Sequence, residues 1–151
     1  MTEVLFYHLE RARLESVLPE LLERTLEKGW RAYVCTGAEG GVEALDDHLW
    51  TYRDESFLPH GTNGAGHPIL ISDRQAPKND AANGADILFI VGGASGDASI
   101  IDGYERCVVI FDGRDDAATS DARAFWRTAA ENGAAVTYWR QSERGRWEKQ
   151  S

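Results

Sequence analysis

Two uninterrupted apolar runs constrain this chain most: Asp86–Val91 (DILFIV) and Arg106–Phe111 (RCVVIF). A strand with one wet face alternates polar and apolar residues. These runs do not, so both faces of each must be covered. That is the pattern of central strands in a parallel sheet sandwiched between helices. Gly92–Glu105 between them reads as a loop with a short helix.

The remaining segments supply the other layers. Glu3–Leu9 (EVLFYHL) reads as a strand, with Leu5, Tyr7 and Leu9 opposite Phe6 and His8. Leu14, Leu18, Leu21, Leu22 and Leu26 recur at helical spacing over 14–28. Pro19 fits a first turn better than a helix interior, which moves the expected start towards Val17. Trp30–Thr36 is a strand, Val42–Trp50 a helix burying Val42, Leu45 and Leu49, and Pro68–Ser72 a short strand. The long stretches 51–67 and 73–85 are irregular. Asp115–Asn132 is a helix closed by Gly133, and Ala134–Arg140 a last strand. Strands alternating with helices imply one α/β domain: a three-layer, Rossmann-like fold with a mostly parallel sheet. The domain is expected over 1–140, with 141–151 a polar C-terminal extension, carrying Trp147, that packs on it or trails from it.

Composition narrows the function classes. The 151 residues are 42% hydrophobic and 27% charged, a balance that supports a packed core. No apolar run approaches the ~20 residues of a membrane helix. The acidic start, Met1-Thr2-Glu3-Val4, lacks the basic region of a secretory signal, so a cytoplasmic location is expected. Cys35 and Cys107 each lie in an apolar run and read as buried thiols. A net charge of −9 repels phosphate backbones and argues against direct nucleic-acid binding over the surface as a whole.

Catalytic motifs find little support. Gly92-Gly93-Ala94-Ser95-Gly96 follows a buried strand, where α/β folds bind phosphate, but it has neither dinucleotide-binding nor P-loop spacing. Asp112, Asp115 and Asp116 could hold magnesium, although Asp115 and Asp116 also suit the first turn of the next helix. A nucleotide- or magnesium-dependent enzyme using Gly92–Gly96 and Asp112 is therefore the alternative reading. His8, His48, His60 and His67 show no ligand spacing, and no nucleophile elbow occurs. No cofactor, metal or catalytic residue is assigned.

The last helix carries more information. Ala118, Ala122, Phe125 and Ala129 share one side and suit the core. Arg123 and Arg127 are one turn apart, with Trp126 on the same flank, and this surface is expected to face away from the core. Arginine grips carboxylates in a fork, and an aromatic shelf accepts an apolar side chain. The arrangement suits an acidic peptide with an aromatic or apolar end. The competing reading is a solvated helix face whose Trp126 packs on a neighbouring strand. A second segment, Trp50 with Phe57, Leu58, Pro59 and His60, either caps the sheet edge or presents an apolar contact surface.

At these residues the chain resembles the DNA polymerase III chi subunit family. Phe6-Tyr7-His8-Leu9 is similar to the family's opening strand. Leu45-Asp46-x-x-Leu49-Trp50 followed by Glu55-Ser56-Phe57-Leu58-Pro59-His60 resembles its central signature, and Pro68-Ile69-x-Ile71 its third strand. Tyr138-Trp139-Arg140-Gln141 and Gly145-Arg146-Trp147-Glu148-Lys149 resemble its end. The resemblance implies a non-catalytic accessory subunit of the clamp loader in DNA replication. By that likeness, Arg123, Trp126 and Arg127 bind the acidic C-terminal tail of single-stranded DNA-binding protein. Trp50, Phe57, Leu58, Pro59 and His60 meet the psi subunit or an equivalent tether. Single-stranded DNA is then contacted mainly indirectly. Thr119 stands where the family often has a lysine.

Overall fold

The computed structural model describes residues 3–10, 14–37, 60–61, 68–72, 84–91, 104–141 and 146–149. The expected helix over 42–50, the Gly92–Gly96 loop, and Trp50, Phe57, Leu58 and Pro59 lie outside them.

Strands β1 (Glu3–Leu9), β2 (Ala32–Thr36), β3 (His60–Gly61), β4 (Ile69–Ser72), β5 (Ile87–Val91), β6 (Arg106–Asp112), β7 (Ala135–Gln141) and β8 (Trp147–Lys149) form one sheet. Helices α1 (Leu14–Glu27) and α2 (Asp116–Glu131) flank it. The strand order is β3-β4-β2-β5-β6-β1-β7-β8. Every described pairing is parallel except that of β7 with β8. The architecture is the three-layer α/β arrangement expected from the alternation of elements. Its order departs from two successive mononucleotide-binding halves, because β5 and β6 sit between β2 and β1.

The two apolar runs occupy the middle of the sheet. All five residues of β5 are buried, as are Cys107 to Phe111 of β6. Their side chains feed two cores, one on each face. Val4, Phe6, Leu88, Ile90, Cys107 and Val109 pack under Ala122, Phe125 and Ala129 of α2. Leu9, Val34, Phe89, Val108 and Ile110 pack under Val17, Leu18 and Leu22 of α1 on the other face. Cys35 and Cys107 are buried free thiols, and burial pushes the Cys107 thiol up.

One local expectation needs correction. Helix α1 begins at Leu14 rather than near Val17, so Pro19 lies inside it. The proline forfeits one helical hydrogen bond, and burial of Val17, Leu18 and Leu22 against the sheet outweighs that loss. Part of the polar C-terminal extension joins the sheet. Residues 147–149 form β8, antiparallel to β7, with Trp139 opposite Lys149 and Gln141 opposite Trp147. Trp147 draws this segment in, meeting Tyr7 edge-on at 5.1 Å between ring centroids.

Candidate functional site

Helix α2 is fixed at both ends. The Asp115 carboxylate accepts from the backbone N–H of Ala117 (3.0 Å) and Ala118 (3.3 Å), as a helix N-cap does. Asp115 therefore caps the helix, and Asp116 lies in its first turn. Gly133 follows the helix with φ +83°, a conformation that other residues rarely adopt. The Asp112 carboxylate accepts from the backbone N–H and Nε of Arg114, both at 2.9 Å. These bonds hold its carboxyl below the usual range. Among the described residues, no group of three His, Cys, Asp or Glu side chains gathers as metal ligands would.

With Ala122, Phe125 and Ala129 buried, helical geometry turns Arg123 and Arg127 outward and leaves Trp126 at the edge. Trp126 is thus not on a face turned from the core. It is half-buried, with its indole 5.3 Å from the Phe6 ring and 5.8 Å from the Tyr138 ring. The residue sits beside Phe125 and one turn from Ala122, on the margin of the buried arc. Its large ring reaches β1 and β7 from there.

Arg123, Trp126 and Arg127 come together around a cavity of about 240 Å³ between α2 and the sheet. Its other lining residues are Phe111, Ala122 and Tyr138. Both arginines are exposed, and neither has an ion-pair or hydrogen-bond partner among the described residues. The cavity pairs an aromatic interior with a doubly cationic rim.

Residues behind the cavity position its aromatic wall. His8 Nδ1 and the Tyr138 hydroxyl are hydrogen-bonded. The His8 ring lies 5.0 Å from Phe111 and 5.8 Å from Tyr138. Glu10 approaches His8 Nε2 at 3.6 Å and accepts from Arg140 Nε at 2.7 Å. Burial, and then Arg140, lower the His8 pKa against the opposing pull of Glu10. Burial raises that of Tyr138. Sequence reasoning missed Phe111, Tyr138 and His8 as parts of this site. Tyr138 was within reach of it, because period-2 alternation puts Ala134, Val136 and Tyr138 on the face that α2 covers.

The second candidate surface enters the described residues only through the backbone of His60, in edge strand β3. Strand β7, which carries Tyr138, is six strand positions from β3 in the sheet. At ~4.8 Å per strand, that places the two regions about 29 Å apart.

Comparison with known proteins adds to this geometry. Residues 1–137 match the family described as DNA polymerase III chi subunit, HolC. The chain is 27% identical over 86 residues to the probable DNA polymerase III subunit chi of Rickettsia prowazekii, covering 54% of this chain and 52% of that one. It is 32% identical over 85 residues to the DNA polymerase III subunit chi of Pseudomonas aeruginosa, covering 52% and 59%. It thus spans somewhat over half the length of these relatives. With the family match covering most of its residues, the chain belongs to the DNA polymerase III chi subunit family.

Proposed function

We propose that this chain is a non-catalytic accessory subunit in DNA replication. It links the DNA polymerase III clamp loader to single-stranded DNA-binding protein by binding that protein's acidic C-terminal tail. The observation that carries this reading is the α2 cavity. Trp126, Tyr138 and Phe111 offer an apolar seat of about 240 Å³, and Arg123 and Arg127 stand exposed at its mouth, without an ion-pair or hydrogen-bond partner among the described residues. An aromatic or apolar chain end enters the seat, and the guanidinium groups take the carboxylates. Neutral apolar peptides lack the second interaction. A nucleic acid spread over the surface is opposed by the net charge of −9, whereas a short tail needs only the local cations of the cavity.

The distance between β3 and β7 supports a bridging role. A partner at the β3 edge, where His60 lies, leaves the α2 cavity clear; Trp50, Phe57, Leu58, Pro59 and His60 are the residues proposed to meet the psi subunit or an equivalent tether. Contact with single-stranded DNA then runs mainly through the protein that coats it.

The test is a titration with a synthetic acidic peptide ending in Ile-Pro-Phe. Arg127→Glu is expected to weaken binding about tenfold or more, the loss of one charge-assisted contact. Added salt is expected to weaken it further. An affinity unchanged by Arg127→Glu would remove this site from consideration.

A further inference from the structure

The opposite face of the sheet carries a second pocket of related chemistry, which the α2 reading does not use. It measures about 200 Å³ and lies between α1 and the N-terminal ends of β1, β5 and β6. Tyr7 and Phe89 help form its floor, and Arg24, Lys28, Arg106 and Trp30 form its rim. The Trp30 indole is held between cations, with Lys28 Nζ 5.0 Å and the Arg106 guanidinium 5.3 Å from its ring. Burial raises the Tyr7 pKa, and the charges of Arg106 and Arg24 oppose that rise. Arg106 Nε is buried and has no hydrogen-bond acceptor among the described residues. A buried donor in that state is costly, and an incoming carboxylate oxygen would satisfy it.

We infer that this pocket is a second site for an acidic peptide segment, taking one apolar side chain onto Tyr7 and Phe89 and a neighbouring carboxylate between Arg24, Lys28 and Arg106. Charge complementarity selects the partner, since three cations gather here on a chain whose net charge is −9. A peptide fits better than single-stranded nucleic acid. Base stacking needs an open aromatic face, and cations already approach the Trp30 ring. The pocket is also a local seat of about 200 Å³ between a helix and a sheet, whereas a polynucleotide needs a continuous track. Glu3 already approaches Arg106, at 3.7 Å, so the site is the weaker of the two. A partner that presents several acidic tails would engage both faces, and its avidity would exceed either affinity alone.

The experiment uses the full chain carrying Arg127→Glu, which weakens the α2 cavity about tenfold or more, and a fluorescent acidic peptide ending in Ile-Pro-Phe. Residual saturable binding is expected, with a shift of the Trp30 indole N–H resonance. Adding Arg24→Glu and Lys28→Glu, both on exposed positions of the helix end, should weaken that residual binding about tenfold. No residual binding, or residual binding indifferent to these changes, overturns the proposal. So does displacement of the peptide by an equimolar oligo-dT strand, which would make the pocket a nucleic-acid site. Failure of the α2 reading is seen separately, as wild type and Arg127→Glu binding alike.

Discussion

Gly113→Ala tests whether the aromatic wall of the α2 cavity is held from behind, as the packing indicates. Gly113 is pinned against the end of β1, its N–H donating to the Leu9 carbonyl at 2.7 Å. A methyl group there would run into the His8 imidazole: Cε1 would lie 2.8 Å away and Nε2 closer still. The backbone cannot retreat without losing the Leu9 bond, so the ring must turn. Overpacking of this kind costs about 1–3 kcal/mol, and losing the His8–Tyr138 hydrogen bond adds about 1 kcal/mol. For a chain of this length, a total near 3 kcal/mol lowers Tm by roughly 6–12 °C. Urea or thermal unfolding of four proteins measures it: wild type, Gly113→Ala, His8→Ala and the double mutant. With His8 trimmed, Gly113→Ala should cost under about 0.5 kcal/mol, leaving a large coupling between the two sites. A Gly113→Ala variant as stable as wild type, or additive costs in the double mutant, would refute the reasoning.

Three further outcomes follow from the same geometry. Asp115→Ala removes the cap of α2 and should destabilise the chain by about 1 kcal/mol, whereas Asp115→Asn should restore most of that loss in the same unfolding assay. Phe6, fully buried and in ring contact with Phe125 and Trp126, should cost about 3–5 kcal/mol as Phe6→Ala; a cost below about 1 kcal/mol would mean that the α2 face is loosely packed. The lowered pKa of His8 means that the unfolded chain binds its proton first as pH falls. Stability should therefore decline as pH drops through about 6.5, the ordinary histidine value, and His8→Gln should flatten that slope. A stability that rises over this window would contradict the burial of His8.

What could be read from residues alone was governed by local periodicity. The runs at Asp86–Val91 and Arg106–Phe111 announce strands buried on both faces, because no other environment tolerates five apolar residues in succession so well. Asp115 and Gly133 bound α2 through capping chemistry that acts within a few residues. Contacts between distant segments were harder to read. Trp147 looked like part of a polar tail, since its strand exists only by pairing with β7 and packing on Tyr7. Pro19 stayed inside α1 because tertiary burial overrode a local preference. The direction of Trp126 depended on Phe6, Phe111 and Tyr138, three strands that the helical wheel does not include. Helix geometry still brought Arg123, Trp126 and Arg127 to one place, because residues three and four apart share a flank.

The central claim is that the α2 cavity seats the end of an acidic protein tail. Its most direct measurement is a calorimetric titration of wild type and Trp126→Ala with the acidic peptide ending in Ile-Pro-Phe, with unfolding curves to verify that both are folded. The account predicts saturable binding to wild type and an affinity at least about tenfold lower for Trp126→Ala, the scale expected when an aromatic anchor is removed. Equal affinities for two folded proteins would contradict it.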